Sequence, residues 1–335
     1  MRLKTFAICA VLLLGIPAVQ ARAADPSIPP LVRAFVEYRQ KPAEARSKAA
    51  GTSRQWLTGV RVVRNVEYGR AGWASLRADL YFPQRRREKA PAVLYIHGGG
   101  WALGDRSEGE MAGYLAHYGY VVASIDYRLC WLAKFPAAVE DCKAAVRWMR
   151  ANSRRLGVDP ERIGVWGASA GGHLAMMVGC ADASAGLEGN SGNPGISSRV
   201  RAVCSYFGPS DLAGEFANPF SLGGQIVQFF MGPFRSPRDF VAASPVSHVG
   251  PGDPPLLMLH GDRDGLVPFR QSQLMFDAYR RFGLDATLIA VRNADHGFMP
   301  KDLLAPVTPN SAQRWNIVLS FFDRHLKGTT LCSAR

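Results

Sequence analysis

Six short apolar runs, at residues 92–96, 121–125, 163–166, 200–206, 255–259 and 286–291, recur through the chain, mostly separated by segments of helical period. Continuous apolar runs of this length suit strands buried on both faces, with the intervening helices as covering layers. The pattern predicts an α/β domain on a mostly parallel central sheet with helices on both faces. Segments 60–68 and 76–82 alternate apolar with polar residues between Gly69, Gly72 and Pro83, and read as an antiparallel pair ahead of that sheet. A chain of 335 residues is long enough for one large core of this kind.

Three helices are signalled by spacing near 3.6: one opened by Pro136 in its first turn and running to about Asn152, one over 269–282 and one over 311–326. From 208 to 249 no long periodic segment stands out. Phe216, Phe220, Phe229, Phe230, Met231 and Phe234 gather there among Gly and Pro. They either extend the core or form a small lid-like insertion that walls an acyl pocket.

Two of the apolar runs end in turns that carry chemistry. After 163–166 comes Gly167-Ala168-Ser169-Ala170-Gly171 and then a helix-like run, 170–178. A Gly-x-Ser-x-Gly match alone is weak, but strand, pentapeptide and helix together form the turn that exposes a serine hydroxyl. Side chains at Gly167 and Gly171 would collide with the neighbouring strand and helix. After 92–96 comes His97-Gly98-Gly99-Gly100-Trp101. Backbone N–H groups approach a developing oxyanion only where no side chain intervenes, so Gly98, Gly99 and Ala170 are the expected donors; losing one such donor costs about 3 to 4 kcal/mol of transition-state stabilisation. A phosphate-binding loop is excluded because no Gly-Lys-Ser/Thr follows and no acidic ribose partner is placed.

Serine needs a base to take its proton, and the base needs a carboxylate to orient it. Both residue types follow later strand-like runs: Asp264 in His260-Gly261-Asp262-Arg263-Asp264, and His296 in Asn293-Ala294-Asp295-His296-Gly297. The expected catalytic residues are Ser169, Asp264 and His296. Asp262 is the serious rival carboxylate, and Asp295 the weaker one because it adjoins the base. His97, His173 and His260 have structural readings as part of the glycine turn, the helix after Ser169 and a strand end; His117, His248 and His325 have no catalytic context.

On these residues the chain resembles the α/β-hydrolase superfamily, specifically hormone-sensitive-lipase-like esterases and the bacterial group of feruloyl and acetylxylan esterases. Its chain order Ser, Asp, His agrees. Asp126-Tyr127-Arg128-Leu129, Phe135-Pro136-Ala137, Val158-Asp159-Pro160 and Gly208-Pro209-Ser210-Asp211 resemble that group's linking segments and read as structural. Ala168 departs from the lipase-like branch, which carries Asp there, and suits the feruloyl-esterase-like branch. The resemblance implies hydrolysis of carboxylic esters through an acyl-enzyme on Ser169, without metal or organic cofactor. Short-chain, acetylated or feruloylated carbohydrate esters, free or polysaccharide-linked, are the expected substrates. An arylformamidase-like amide hydrolase and a non-catalytic ligand-binding protein on the same fold are the alternatives.

Arg2 and Lys4 precede an apolar run at 6–19, and Ala21-Arg22-Ala23 offers small residues for cleavage. Residues 1–23 therefore read as a secretory signal peptide, with export to the periplasm or exterior as the expectation. Residues 24–53 read as an N-terminal arm with a short helix over 31–38, 54–328 as the catalytic domain with 208–249 as the insertion, and 329–335 as a tail. No later segment holds 18 uncharged apolar residues, so integral membrane association is not expected. The formal charge of +13 is spread, with short clusters at 85–87, 154–155 and 280–281 that read as solvated surface, and no nucleic-acid partner is expected. Beyond residue 23 the cysteines are Cys130, Cys142, Cys180, Cys204 and Cys332, an odd set without disulfide or zinc spacing. Cys142 and Cys204 read as small buried hydrophobes.

Overall fold

The computed structural model describes residues 57–84, 89–214, 216, 218 and 220–328. The expected signal segment 1–23, arm 24–53 and tail 329–335, the arginines at 85–87 and Cys332 lie outside the described residues.

Eight strands form one sheet: β1 Arg61–Ala71, β2 Ala74–Phe82, β3 Ala90–Ile96, β4 Val121–Ile125, β5 Val158–Ala168, β6 Ala202–Tyr206, β7 Leu256–Gly261 and β8 Ala286–Val291. Their order is β1-β2-β4-β3-β5-β6-β7-β8. The pairs β1·β2 and β2·β4 are antiparallel, and every pairing from β4 through β3 to β8 is parallel. All six apolar runs are strands. β5 begins earlier than its apolar run, because Val158 pairs with Ala90 across a register shift. Gly69 does not end β1; it lies at a register shift inside the strand, and the hairpin turns only after Ala71, which pairs with Ala74.

Five helices of ten residues or more occur among the described residues: α1 Ala137–Ala151, α2 Ala170–Cys180, α3 Leu222–Met231, α4 Arg270–Arg281 and α5 Ser311–Phe322. Pro136 is the N-cap of α1, one position outside the first turn. α5 is opened by a capping box between Asn310 and Gln313 and runs on into a wider turn, Asp323–Lys327. The strands alternate between two buried layers. Ala92, Leu94 and Ile96 of β3 join one with α1, α2 and α4, while Val93 and Tyr95 join the other with Val318 and Phe322 of α5. On α1, Val139, Cys142, Val146 and Met149 are all fully buried. Each large apolar side chain so buried contributes about 1.5–3 kcal/mol, so tertiary packing rather than propensity holds the helix.

Cys130, Cys142, Cys180 and Cys204 are free and buried. Cys142 belongs to the first layer and Cys204 to the second. Burial pushes both thiols well above their ordinary value.

The helix α3 corrects the expectation that 208–249 lacks a periodic segment. Ser221 caps it by accepting from the Gly224 N–H, and Val227, Phe230 and Met231 make its buried face. Of the aromatics there, Phe216 and Phe230 are core, whereas Phe220 and Phe234 are 80% and 103% exposed. No helix among the described residues is long and apolar enough to cross a membrane.

Candidate active site

Parallel strands deliver their C-terminal ends to one edge of the sheet, and four of those ends matter here. β3 leads to Gly98, β5 to Ser169, β7 to Asp264 and β8 to His296.

Ser169 is held at φ 56°, ψ −122°, a backbone conformation that costs a non-glycine residue roughly 1–3 kcal/mol. Its N–H donates to Tyr206 O at 2.8 Å, and its own carbonyl accepts from the His173 N–H at 3.0 Å. The glycines around it allow close backbone packing. A Cβ on Gly167 would lie 2.1 Å from Gly171 O, and one on Gly171 would lie 2.1 Å from Ile96 O. Gly172 is equally constrained, 2.7 Å from Ser205 Oγ and 2.9 Å from Tyr206 O by the same measure.

The three expected side chains meet. Ser169 Oγ lies 2.9 Å from His296 Nε2, and His296 Nδ1 lies 2.7 Å from Asp264 Oδ2. A carboxylate can only accept, so Nδ1 donates and Nε2 is left to receive the serine proton. Asp264 Oδ1 accepts the N–H groups of Leu266 and Val267, both at 2.9 Å. Burial alone would push the Asp264 carboxyl up; hydrogen bonds from His260 and His296, the imidazole charge and the Val267 N–H outweigh it and hold the group well below the usual carboxylate range. The Asp264 side chain is fully buried, while His296 keeps 23% exposure toward the solvent side. The Phe207 ring packs edge-on against the His296 imidazole at 4.7 Å.

The rival carboxylates are occupied elsewhere. Asp262 is exposed and takes the Ala294 N–H at 3.4 Å. Asp295 accepts from the N–H groups of Gly265 and His296 and from Lys301 Nζ at 2.7 Å, so it caps the turn after β8 rather than facing the imidazole. Lys301 and those two N–H groups hold the Asp295 carboxyl down to about 2. The sequence gives His260 a structural reading at a strand end; in the fold it is fully buried, donates from Nε2 to Val267 O at 2.8 Å and sits 3.4 Å from Asp264 Oδ2, with Ser272 Oγ 2.7 Å from its Nδ1. Its place at the strand end was legible; its contact with the carboxylate was not.

Gly98 packs on the nucleophile, since a Cβ there would lie 3.4 Å from Ser169 Cβ. Gly99 has φ +97°, and its carbonyl accepts from the Ala102 and Leu103 N–H groups, which closes the turn. Ala170 opens α2, where the first N–H groups have no partner within the helix. Gly98 and Ala170 therefore flank Ser169, with Gly99 next to Gly98 in the same turn. The turn is braced by the insertion. A Cβ on Gly100 would lie 3.0 Å from Ile226 of α3, and Trp101 stacks on Phe230 at 4.3 Å. Trp101 Nε1 donates to His173 Nδ1 at 3.2 Å, and His173 Nε2 donates to Ala243 O at 2.8 Å. Burial, opposed by the hydrogen bond to Ala243, holds the His173 imidazole down to about 4, so this histidine acts as a neutral strut.

A groove of about 900 Å3 lies at the other edge, where β5, β6 and β7 begin, lined by Arg150, Arg162, Arg199, Arg201 and Arg324 among others. Ser197 Oγ in its lining accepts from the Arg199 N–H at 3.2 Å. The Ser169–His296–Asp264 contacts lie at the opposite edge, where the strands end.

A family model described as BD-FAE matches residues 78–279, which include Gly98, Ser169 and Asp264. The chain belongs to the BD-FAE family. His296 falls outside the matched span, and the fold alone brings it to Ser169. This BD-FAE member is 32% identical over 257 residues to esterase LipQ of Mycobacterium tuberculosis, covering 72% of this chain and 58% of that protein. It is 28% identical over 249 residues to the isoprenylcysteine alpha-carbonyl methylesterase ICME of Arabidopsis thaliana, with 70% and 56% covered. The chain thus spans little more than half the length of these curated relatives. Among solved structures it is similar to a truncated carbohydrate esterase from gut microbiota, with TM-score 0.67, 28% identity, and 80% of this chain and 96% of that one covered. Native esterase of Thermogutta terrifontis gives TM-score 0.66 and 26% identity, with 83% and 96% covered. These likenesses carry the α/β-hydrolase fold.

Proposed function

We propose that this BD-FAE member is a serine carboxylic-ester hydrolase that works through an acyl-enzyme on Ser169. The observation that carries the reading is the unbroken chain from Ser169 Oγ through His296 to buried Asp264. His296 Nε2 takes the hydroxyl proton as Oγ attacks the ester carbonyl. The carbonyl electron pair moves to oxygen, which the N–H groups of Gly98, Gly99 and Ala170 receive. As the intermediate collapses, the C–O bond to the alcohol breaks and the alcohol leaves with the proton from His296. Water then repeats the sequence on the acyl-enzyme, releasing the acid and restoring Ser169.

Acetylated, short-chain or feruloylated carbohydrate esters are the proposed substrates. Support comes from the feruloyl-esterase-like motifs and from the solved relative that is named a carbohydrate esterase. We read 208–249 as the acyl-side wall, because α3 touches the oxyanion turn at Gly100 and, through Gly223, approaches the Leu266 carbonyl beside Asp264. The basic apolar start of the sequence supports export.

Ser169→Ala is expected to lower hydrolysis of short-chain nitrophenyl esters by roughly 10^6-fold. Unchanged turnover would remove the mechanism. Esterase 2 of Thermogutta terrifontis is phosphorylated by paraoxon, and the same reagent should modify the Ser169 peptide here, read by mass spectrometry. A panel of acetylated xylan, feruloylated sugars, nitrophenyl esters and formylkynurenine ranks the substrates. Preference for the last would favour the amide-hydrolase reading.

A further inference from the structure

The two carbonyls of the glycine turn converge on one buried hydroxyl. Tyr127, 3% exposed just beyond β4, shares its one hydroxyl proton between His97 O at 3.2 Å and Gly98 O at 3.3 Å. Gly98 O accepts a second bond, from His97 Nδ1 at 2.8 Å. Because a carbonyl only accepts, Nδ1 carries the proton in that contact. The imidazole lies flat on the Tyr127 ring, with centroids 4.3 Å apart and planes 13° from parallel. Gly104, at φ +90°, closes the other side, for a Cβ there would strike Nδ1 at 2.3 Å. His97 Nε2 is buried with no hydrogen-bond partner among the described residues, so the ring's one polar engagement there is Gly98 O. Burial pushes the Tyr127 phenol well above its ordinary value, which keeps the hydroxyl proton in place.

A trans peptide points its N–H opposite to its C=O. His97 O shares a peptide with the Gly98 N–H, and Gly98 O shares one with the Gly99 N–H. Drawing both carbonyls to one point turns both N–H groups the other way, and Gly98 packs on Ser169. We infer that Tyr127 and His97 are positioning residues that aim the Gly98 and Gly99 N–H groups at the oxyanion of the tetrahedral intermediate on Ser169. The inference rests on the acyl-transfer reading above.

The mechanism predicts a loss felt only when charge develops on oxygen. Tyr127→Phe keeps the ring stack and removes the hydroxyl. Its kcat should fall about tenfold, a fraction of the hundred- to thousandfold that deleting a donor itself costs. KM should stay within about twofold, and inhibition by a trifluoromethyl ketone, which mimics the tetrahedral adduct, should weaken by the same factor as kcat/KM. His97→Asn, whose amide nitrogen can replace Nδ1, should retain most activity, whereas His97→Leu should lose kcat and ketone affinity together. The double variant Tyr127→Phe/His97→Leu should fall by less than the product of the two, because both groups grip Gly98 O. His97→Leu against His97→Asn carries the same test if Tyr127→Phe does not fold. Unchanged kcat and ketone affinity in Tyr127→Phe and His97→Leu overturn the inference, as does a loss confined to KM. If those variants are silent while Ser169→Ala is dead, the positioning role alone fails; an active Ser169→Ala enzyme sinks the reading beneath it.

Discussion

The turn that carries Ser169 and the insertion that carries α3 border the same site and are built in opposite ways. Around Ser169 backbone meets backbone, with room for no Cβ at Gly167 or Gly171. The insertion reaches the site through side chains, Ile226 on Gly100 and Phe230 on Trp101, and leaves Phe220 and Phe234 in solvent. Carbonyl oxygens packed at contact distance cannot move aside, whereas side chains can repack. The proposed bond-making atoms therefore sit on the part that cannot yield, and the wall proposed to meet the acyl group sits on the part that can.

The contrast is open to breaking at four places. Asp264→Asn should have the largest effect, lowering kcat by about 10^4-fold, since it leaves the fold intact and disturbs the His296 tautomer. The same variant tests the electrostatics. The Asp264 carboxyl is depressed in the folded protein, so its ionised form contributes stability above the unfolded value of about 3.9 and loses it as pH falls through the folded value. The Asn variant should show a flatter decline of Tm below about pH 4; an acid limb as steep as wild type would mean the carboxylate is not held this way. Gly171→Ala should destabilise by about 3 kcal/mol or more in urea unfolding, because the added methyl meets two carbonyls. Wild-type stability there would erase the distinction between rigid and adjustable walls.

On the insertion side, Phe230→Ala removes the Trp101 stack and should cost about 3 kcal/mol of stability. Its kcat/KM on a small soluble ester should fall no more than about tenfold, a barrier change of about 1.4 kcal/mol. A collapse of activity comparable to Asp264→Asn would place the insertion within the rigid machinery. Phe234→Ser should be the mildest, within about 0.5 kcal/mol of wild type and equally active on that ester. A large loss of stability would show that this fully exposed ring is anchored after all.

Much of this architecture was legible in the chain because the strands from β3 to β8 contain short, continuous apolar runs, a pattern that suits a sheet covered on both faces. The turns after β3, β5, β7 and β8 were legible because their residue types are chemically unusual at strand ends. The short helix α3 was not, since Gly223 and Gly224 dilute its period and an exposed Leu222 breaks the stripe. Choosing Asp264 over Asp262 from spacing alone rested on a difference of two residues. Space resolves it, because the N–H groups of Leu266 and Val267 turn the Asp264 carboxylate inward. Tyr127 lay in a segment read as structural, and no local pattern marks a hydroxyl whose partners are 29 and 30 residues earlier. Such contacts belong to topology, which brings the end of β4 beside the end of β3.

The buried cysteines make the protein its own stopwatch. Cys142 sits on the buried face of α1 in one layer and Cys204 on β6 in the other, both free, and a thiol reagent reaches each only when its layer opens. Alkylation of the two at separate rates, followed peptide by peptide, would time the departure of each coat from the sheet without any label having been introduced.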